Sequence, residues 1–150
     1  MRWLPLLGVG VLVLAGCGGG GSPSTSTKSA SPPAKGRLVI AGLQPPAGCY
    51  VTVFLVENAT KAQIRSVQNR LLANKGAAQV SFVSRGLALE RFGKKNPTVA
   101  KGMHINPFSD QFEVVPRSRA AVFSIIGDFA THGGPITNAL PSGACANAKR

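Results

Sequence analysis

Five carboxylates, two histidines and three cysteines are the groups best able to do chemistry in this 150-residue chain. The carboxylates are Glu57, Glu90, Asp110, Glu113 and Asp128. Glycan hydrolysis needs two carboxyl groups whose surroundings push their pKa values apart. Here Glu113 falls at the outward position of an alternating stretch, FEV, and Glu90 on the surface of a helix. His104 and His132 sit in no nucleophile context of the kind a hydrolytic triad uses. Two distant histidines with no neighbouring Cys or Asp cluster make no metal site. The pattern argues against an enzyme, and it calls for no cofactor and no metal.

The cysteines are more informative. Met1-Arg2 is followed by an apolar run from Leu4 to Ala15 and then by polar, glycine-rich sequence. The run is shorter than the roughly 20 residues that span a bilayer, and the order is that of a secretory leader. Its end, Leu14-Ala15-Gly16-Cys17, resembles the bacterial lipobox, in which the leader is cut before a cysteine that is then diacylated. Residues 1–16 therefore read as a lipoprotein signal peptide and Cys17 as the lipidation site. The expected location is the outer face of the bacterial cytoplasmic membrane, with the chain held by lipid. Each acyl CH₂ buried supplies about 0.8 kcal/mol, so more than one acyl chain gives a stable anchor. Residues 17–36 carry Cys17 and a Gly/Ser/Thr/Pro tether, with no apolar side chain large enough to offset the entropy of ordering. Residues 37–150 are the folded domain. Cys49 and Cys145 are either two buried thiols or one disulfide, and an oxidising exported setting favours the disulfide.

The charge balance is strongly basic, 17 Lys and Arg against 5 Asp and Glu. In an intracellular chain this would suggest nucleic acid. An exported chain instead meets anionic wall polymers, lipid headgroups or acidic proteins, so no nucleic-acid partner is expected.

The elements that position these groups follow from periodicity. Arg37 to Ala41 reads as a short first strand, and Tyr50 to Val56 as a central strand that is apolar on both faces. Thr60-Lys61-Ala62-Gln63 is a capping box, followed by Ile64, Val67, Leu71 and Leu72 on one helical stripe, with Gly76 expected as a left-handed C-terminal cap. Ala78 to Ser84 is a second strand. Ser84 caps a short helix that Gly93 is expected to end. Lys94 to Asn106 reads as basic and irregular. Gln111 to Val115 is a strand stopped by Pro116. Ser118 caps a helix through Val122, Ile125, Ile126 and Phe129, and Ile136 to Leu140 is expected at a sheet edge. The order implies an α+β fold: a small split βαβ, ferredoxin-like sheet with helices on one face and a short helix/loop insertion.

Three of these segments carry a resemblance. Val80 to Ser84, Ala88 to Phe92 and Asn106 to Val114 (VSFVS, ALERF and NPFSDQFEV) are similar, in order and spacing, to the extracellular domain of FtsX, the permease-like bacterial cell-division protein. The resemblance spans roughly Tyr50 to Phe129. It implies a non-catalytic domain that engages cell-wall hydrolases or other division-complex proteins. The full family protein carries membrane helices linked to a cytoplasmic ATPase. This chain has no such segment after its leader, so the fold and partner-binding character carry over and the transport-linked mechanism does not.

Two side-chain groups then stand out. Leu87, Leu89, Phe92, Met103, Ile105 and Phe108 are more apolar surface than a short helix and loop can easily hide, and an exposed remainder marks a protein-binding site. Arg85, Arg91, Lys94, Lys95 and Lys101 ring the same region as a basic surface. The expected function is a lipid-anchored, non-catalytic envelope module binding a peptidoglycan hydrolase or division-complex component. The alternative is a basic structural lipoprotein that holds anionic wall polymers or the membrane surface.

Overall fold

The computed structural model describes residues 35–130 and 134–146. The leader, Cys17, the tether up to residue 34 and His132 lie outside the described residues. The elements run β1 (Arg37–Ile40), β2 (Val51–Leu55), α1 (Lys61–Ala73), β3 (Ala77–Val83), α2 (Arg85–Lys95), α3 (Pro97–Lys101), β4 (Gln111–Pro116), α4 (Arg119–Ala130), β5 (Ile136–Pro141) and α5 (Gly143–Ala146).

The sheet order is β1-β3-β4-β2-β5. Strand β4 lies between β2 and β3, and β2 lies between β4 and β5, with every one of those pairings antiparallel. Each βαβ unit, β2-α1-β3 and β4-α4-β5, is therefore split by a strand of the other. That is the expected ferredoxin-like arrangement, extended by β1, which pairs parallel to β3 at the edge.

Alternation builds the core. Val51, Val53, Val80, Phe112 and Val114 point to one face and are fully buried under α1 and α4. Helix α1 contributes Val67 and Leu71, and α4 contributes Val122, Ile125 and Phe129. The two helices are tied side by side. The Arg70 guanidinium lies 4.9 Å from the Phe129 ring centroid, and Asn74 donates to the Asp128 carboxylate at 2.7 Å.

The predicted caps form. Gln63 N–H donates to Thr60 Oγ1 while Gln63 Oε1 accepts from Thr60 N–H at 2.8 Å, so both orphan donors are satisfied. Ser118 Oγ accepts from Ala121 N–H, as expected of an N-cap. Gly76 differs from expectation. Asn74 caps α1 in an extended conformation, and its side chain accepts from Gly76 N–H at 2.8 Å. Gly76 has no positive φ. What it provides is room, since a Cβ there would stand 3.0 Å from the Cβ of Ala121 on α4.

Helix α2 continues past Gly93 to Lys95, and the stretch read as irregular contains the single turn α3, with Pro97 in its first turn. Proline suits that position because its missing N–H has no intrahelical partner there. Gly93 again supplies closeness, since a Cβ would approach Ala100 of α3 to 3.3 Å.

Cys49 and Cys145 form a disulfide. It ties the start of β2 to α5 across a sequence separation of 96 residues. Ser142 reinforces the junction, its backbone N–H donating to Tyr50 O at 2.8 Å and its Oγ accepting from Tyr50 N–H at 3.1 Å. Replacing both cysteines by serine is expected to cost about 4–5 kcal/mol, the chain-entropy value for a loop of this length. Denaturant unfolding of the two proteins measures this; coincident midpoints would contradict a fold stapled by the bond.

Candidate functional site

The insertion between β3 and β4 is a small lobe built on α2. Ser84 Oγ accepts from Leu87 N–H at 3.2 Å and starts the helix. The returning chain is tied to the same end. Asp110 accepts from Arg85 N–H at 2.8 Å, Asn106 donates to Arg85 O at 2.9 Å, and Asn106 Oδ1 accepts from Phe108 N–H. These bonds fold the loop back along α2 and bring Phe108 against Phe92, with ring centroids 5.4 Å apart and planes tilted by 50°. That spacing is typical of attractive aromatic pairs.

The expected apolar group therefore divides. Phe92 and Phe108 pack on each other, and Leu87, Leu89 and Met103 are half-buried. Ile105 is 81% exposed. Val99, on the α3 turn, is 55% exposed and adds to the same lobe. Sequence reading missed Val99 because the turn that presents it was read as loop.

The expected basic group divides too. Arg85, Lys94, Lys95 and Lys101 are exposed. Lys94 makes only a long i,i+4 contact with Glu90 at 3.8 Å. Arg91 is not part of that surface. Its side chain is 10% exposed, and Nη1 meets Glu113 Oε1 at 2.6 Å. Nε and Nη2 donate to Gly42 O at 2.9 and 2.6 Å, and Nη2 also reaches Gln44 O at 3.2 Å. The physical reason is the partner: Glu113 is 3% exposed, not at an outward position facing water. It stands on the sheet face opposite Phe112 and Val114, in register with Ser81 of β3 and Thr52 of β2. Arg91, three residues after the buried Ala88 and so on the same side of α2, reaches down to that face.

One guanidinium thus joins the insertion, the segment after β1 and the sheet. Breaking a buried ion pair by removing one partner typically costs about 3–5 kcal/mol, because it strands the other charge. Glu113 Oε2 is buried without a hydrogen-bond partner among the described residues. The signal in the sequence is a single acid in the run Gln111 to Val115, beside a central strand, Tyr50 to Val56, that is apolar on both faces.

Tyr50 lies beside this pair. Its phenol is pushed above the ordinary value, chiefly by burial and then by the Glu113 carboxylate, with Arg91 opposing. The other carboxylates are also engaged or displayed singly. Asp110 caps α2, Asp128 holds Asn74, Glu90 faces Lys94, and Glu57 lies exposed in the turn after β2. Among the described residues no three His, Cys, Asp or Glu side chains gather as metal ligands would. The arrangement leaves Val99, Ile105, Arg85, Lys94, Lys95 and Lys101 exposed on a lobe anchored by Arg91.

Tyr50 is the one tyrosine in the chain, so tyrosinate absorbance reports it alone. Burial favours the neutral phenol. Its contribution to stability is therefore whole below about pH 10 and is lost as pH rises through the higher folded value. Titration of the native protein is expected to give a midpoint above that of the unfolded chain, lowered by Glu113→Gln and raised further by Arg91→Met. A midpoint unmoved by either substitution would contradict the proximity of the three groups.

Two comparisons place this geometry among known proteins. A family model, the FtsX extracellular domain, matches residues 49–132, from the disulfide cysteine just before β2 to just past α4. No curated protein matches the chain. Among the described residues no helix is long and apolar enough to cross a membrane. The family match covers more than half of the sequence and runs from β2 through α4, the α2–α3 lobe included, so the chain belongs to the FtsX extracellular domain family, a non-catalytic cell-division module at the outer face of the membrane.

Proposed function

We propose that this chain is a lipid-anchored binding module that uses the α2–α3 lobe to engage a protein of the division or wall-remodelling machinery, a peptidoglycan hydrolase being the leading candidate. Cys17 carries the lipid, and the Gly/Ser/Thr/Pro-rich residues 18–36 join it to the folded domain.

The observation that carries this reading is the exposed apolar surface of the lobe. Ile105 and Val99 stay in water while Phe92 and Phe108 of the same lobe pack on each other. Apolar side chains displayed on a well-ordered base, with a basic rim, have the anatomy of a binding hot spot inside a polar ring. Arg85, Lys94, Lys95 and Lys101 form that rim and favour an acidic partner at long range.

The same exposed cations support the second reading, a structural lipoprotein held to anionic wall polymers. The two separate cleanly. Polymer binding falls steeply with salt and ignores apolar substitutions, whereas a protein partner depends on the apolar centre.

Cross-linked recovery of peptidoglycan hydrolases from envelopes is expected to fall at least about 30-fold with Ile105→Glu, the equivalent of a hot-spot loss of about 2 kcal/mol. Phe92→Ala and Phe108→Ala are expected to weaken it as well, through the packing of the lobe. Undiminished recovery with all three variants would overturn the assignment of the lobe. Wall binding that is abolished by salt and untouched by them would establish the polymer reading.

A further inference from the structure

Strand β1 ends the sheet. It bonds to β3 on one side, and along its other edge the backbone has no hydrogen-bond partner among the described residues. Such an edge is a row of donors and acceptors ready for another strand, and proteins usually blunt it with charge or cover it. Here it is apolar and open. Leu38 is 51% and Ile40 98% exposed.

The parallel register sets Leu38 beside Val80 and Ile40 beside Phe82, so both stand on the face that α1 and α4 cover elsewhere. Helix α1 packs over β3, and the floor in front of β1 stays uncovered. Next to it, over the Phe82 that Ile40 pairs with, lies a groove of about 690 Å³ lined among others by Ile64, Lys61 and Arg65. Asp110 also lines it, but its carboxylate is already bonded to Arg85 N–H. Lys35 and Arg37 add exposed positive charge where β1 begins.

We propose that this edge and groove take up an extended, acidic segment of another protein, which adds a sixth strand beside β1. Its alternate apolar side chains cover Leu38 and Ile40, and its carboxylates meet Lys61 and Arg65. Main-chain bonding gives such an addition its affinity, and the pockets for alternate side chains give its specificity. Charge selects this occupant over the others. Residues 1–34 of the chain contain no Asp or Glu, so the tether cannot supply the complement. A second copy would bring together two chains that each carry a net charge of +12. An anionic lipid surface matches the charge and the exposed Ile40, but it offers no register of donors and acceptors to the strand edge. No residue of α2 or α3 lines the groove, so substitutions at Ile40 and at Ile105 read the two surfaces apart.

The test uses the nitrogen-15-labelled full chain and a synthetic peptide of alternating valine and glutamate. Expected are chemical-shift changes confined to β1, Phe82 and the first turns of α1, slowed amide exchange in Arg37–Ile40, and affinity at least tenfold weaker in Ile40→Glu. Ile40 is 98% exposed, so that variant is expected to keep the wild-type melting temperature. Absence of shifts at millimolar peptide, or unchanged affinity in Ile40→Glu, overturns the proposal. Equal protection of the same amides by phosphatidylglycerol vesicles would assign the surface to lipid. Self-association abolished by Ile40→Glu would assign it to a second copy; either outcome also overturns it.

Discussion

One buried ion pair decides where the α2–α3 lobe sits on the sheet. The α2–α3 lobe makes most of its own bonds locally, from Ser84, Asn96, Asn106 and Asp110 to the chain around them. What fixes it to the second face of the sheet is Arg91, whose three nitrogens serve Glu113, Gly42 and Gln44 together. A guanidinium suits this task because its planar fork can serve a carboxylate and backbone carbonyls at once. A buried pair of this kind is a poor source of net stability compared with apolar packing. Its consequence here is positional: it commits a charged helix to one place on the sheet.

The core beneath the opposite face is conventional by contrast. It needs only alternation in the strands, an apolar stripe on each of two helices, and glycines where elements come close. The disulfide then closes the path from β2 to α5, and the serine beside it satisfies the backbone of Tyr50. The ferredoxin-like frame thus packs apolar side chains on one face and holds the polar group of Tyr50, Arg91 and Glu113 on the other. That asymmetry leaves the first face for folding and the second for carrying the insertion.

Legibility in the sequence followed the same division. The strands, α1, α4 and their caps were readable because local chemistry and core burial demand the same residues at the same positions. Thr60 with Gln63, and Ser118 before its helix, are chemistry that a sequence displays directly. Gly76 was read for its freedom of φ, when the demand on it comes from Ala121, 45 residues away and invisible to local reasoning. Arg91 was read as surface and Glu113 as outward for a related reason. Each alone looks like a solvated charge, and only the sheet register and the placement of α2 make them partners. The α3 turn was hidden because five residues are too few to establish a period. The apolar residues of the lobe were legible as a group, but which of them pack and which face water depended on the fold-back through Asn106.

The account rests on Arg91 and Glu113 acting as one unit that seats the lobe. A double-mutant cycle with Arg91→Met and Glu113→Gln, read in unfolding free energy, tests this most directly. The account predicts that the second substitution costs far less once the first is made, a coupling of about 2–3 kcal/mol, the upper part of the range for residues in one network. Losses that simply add would contradict it.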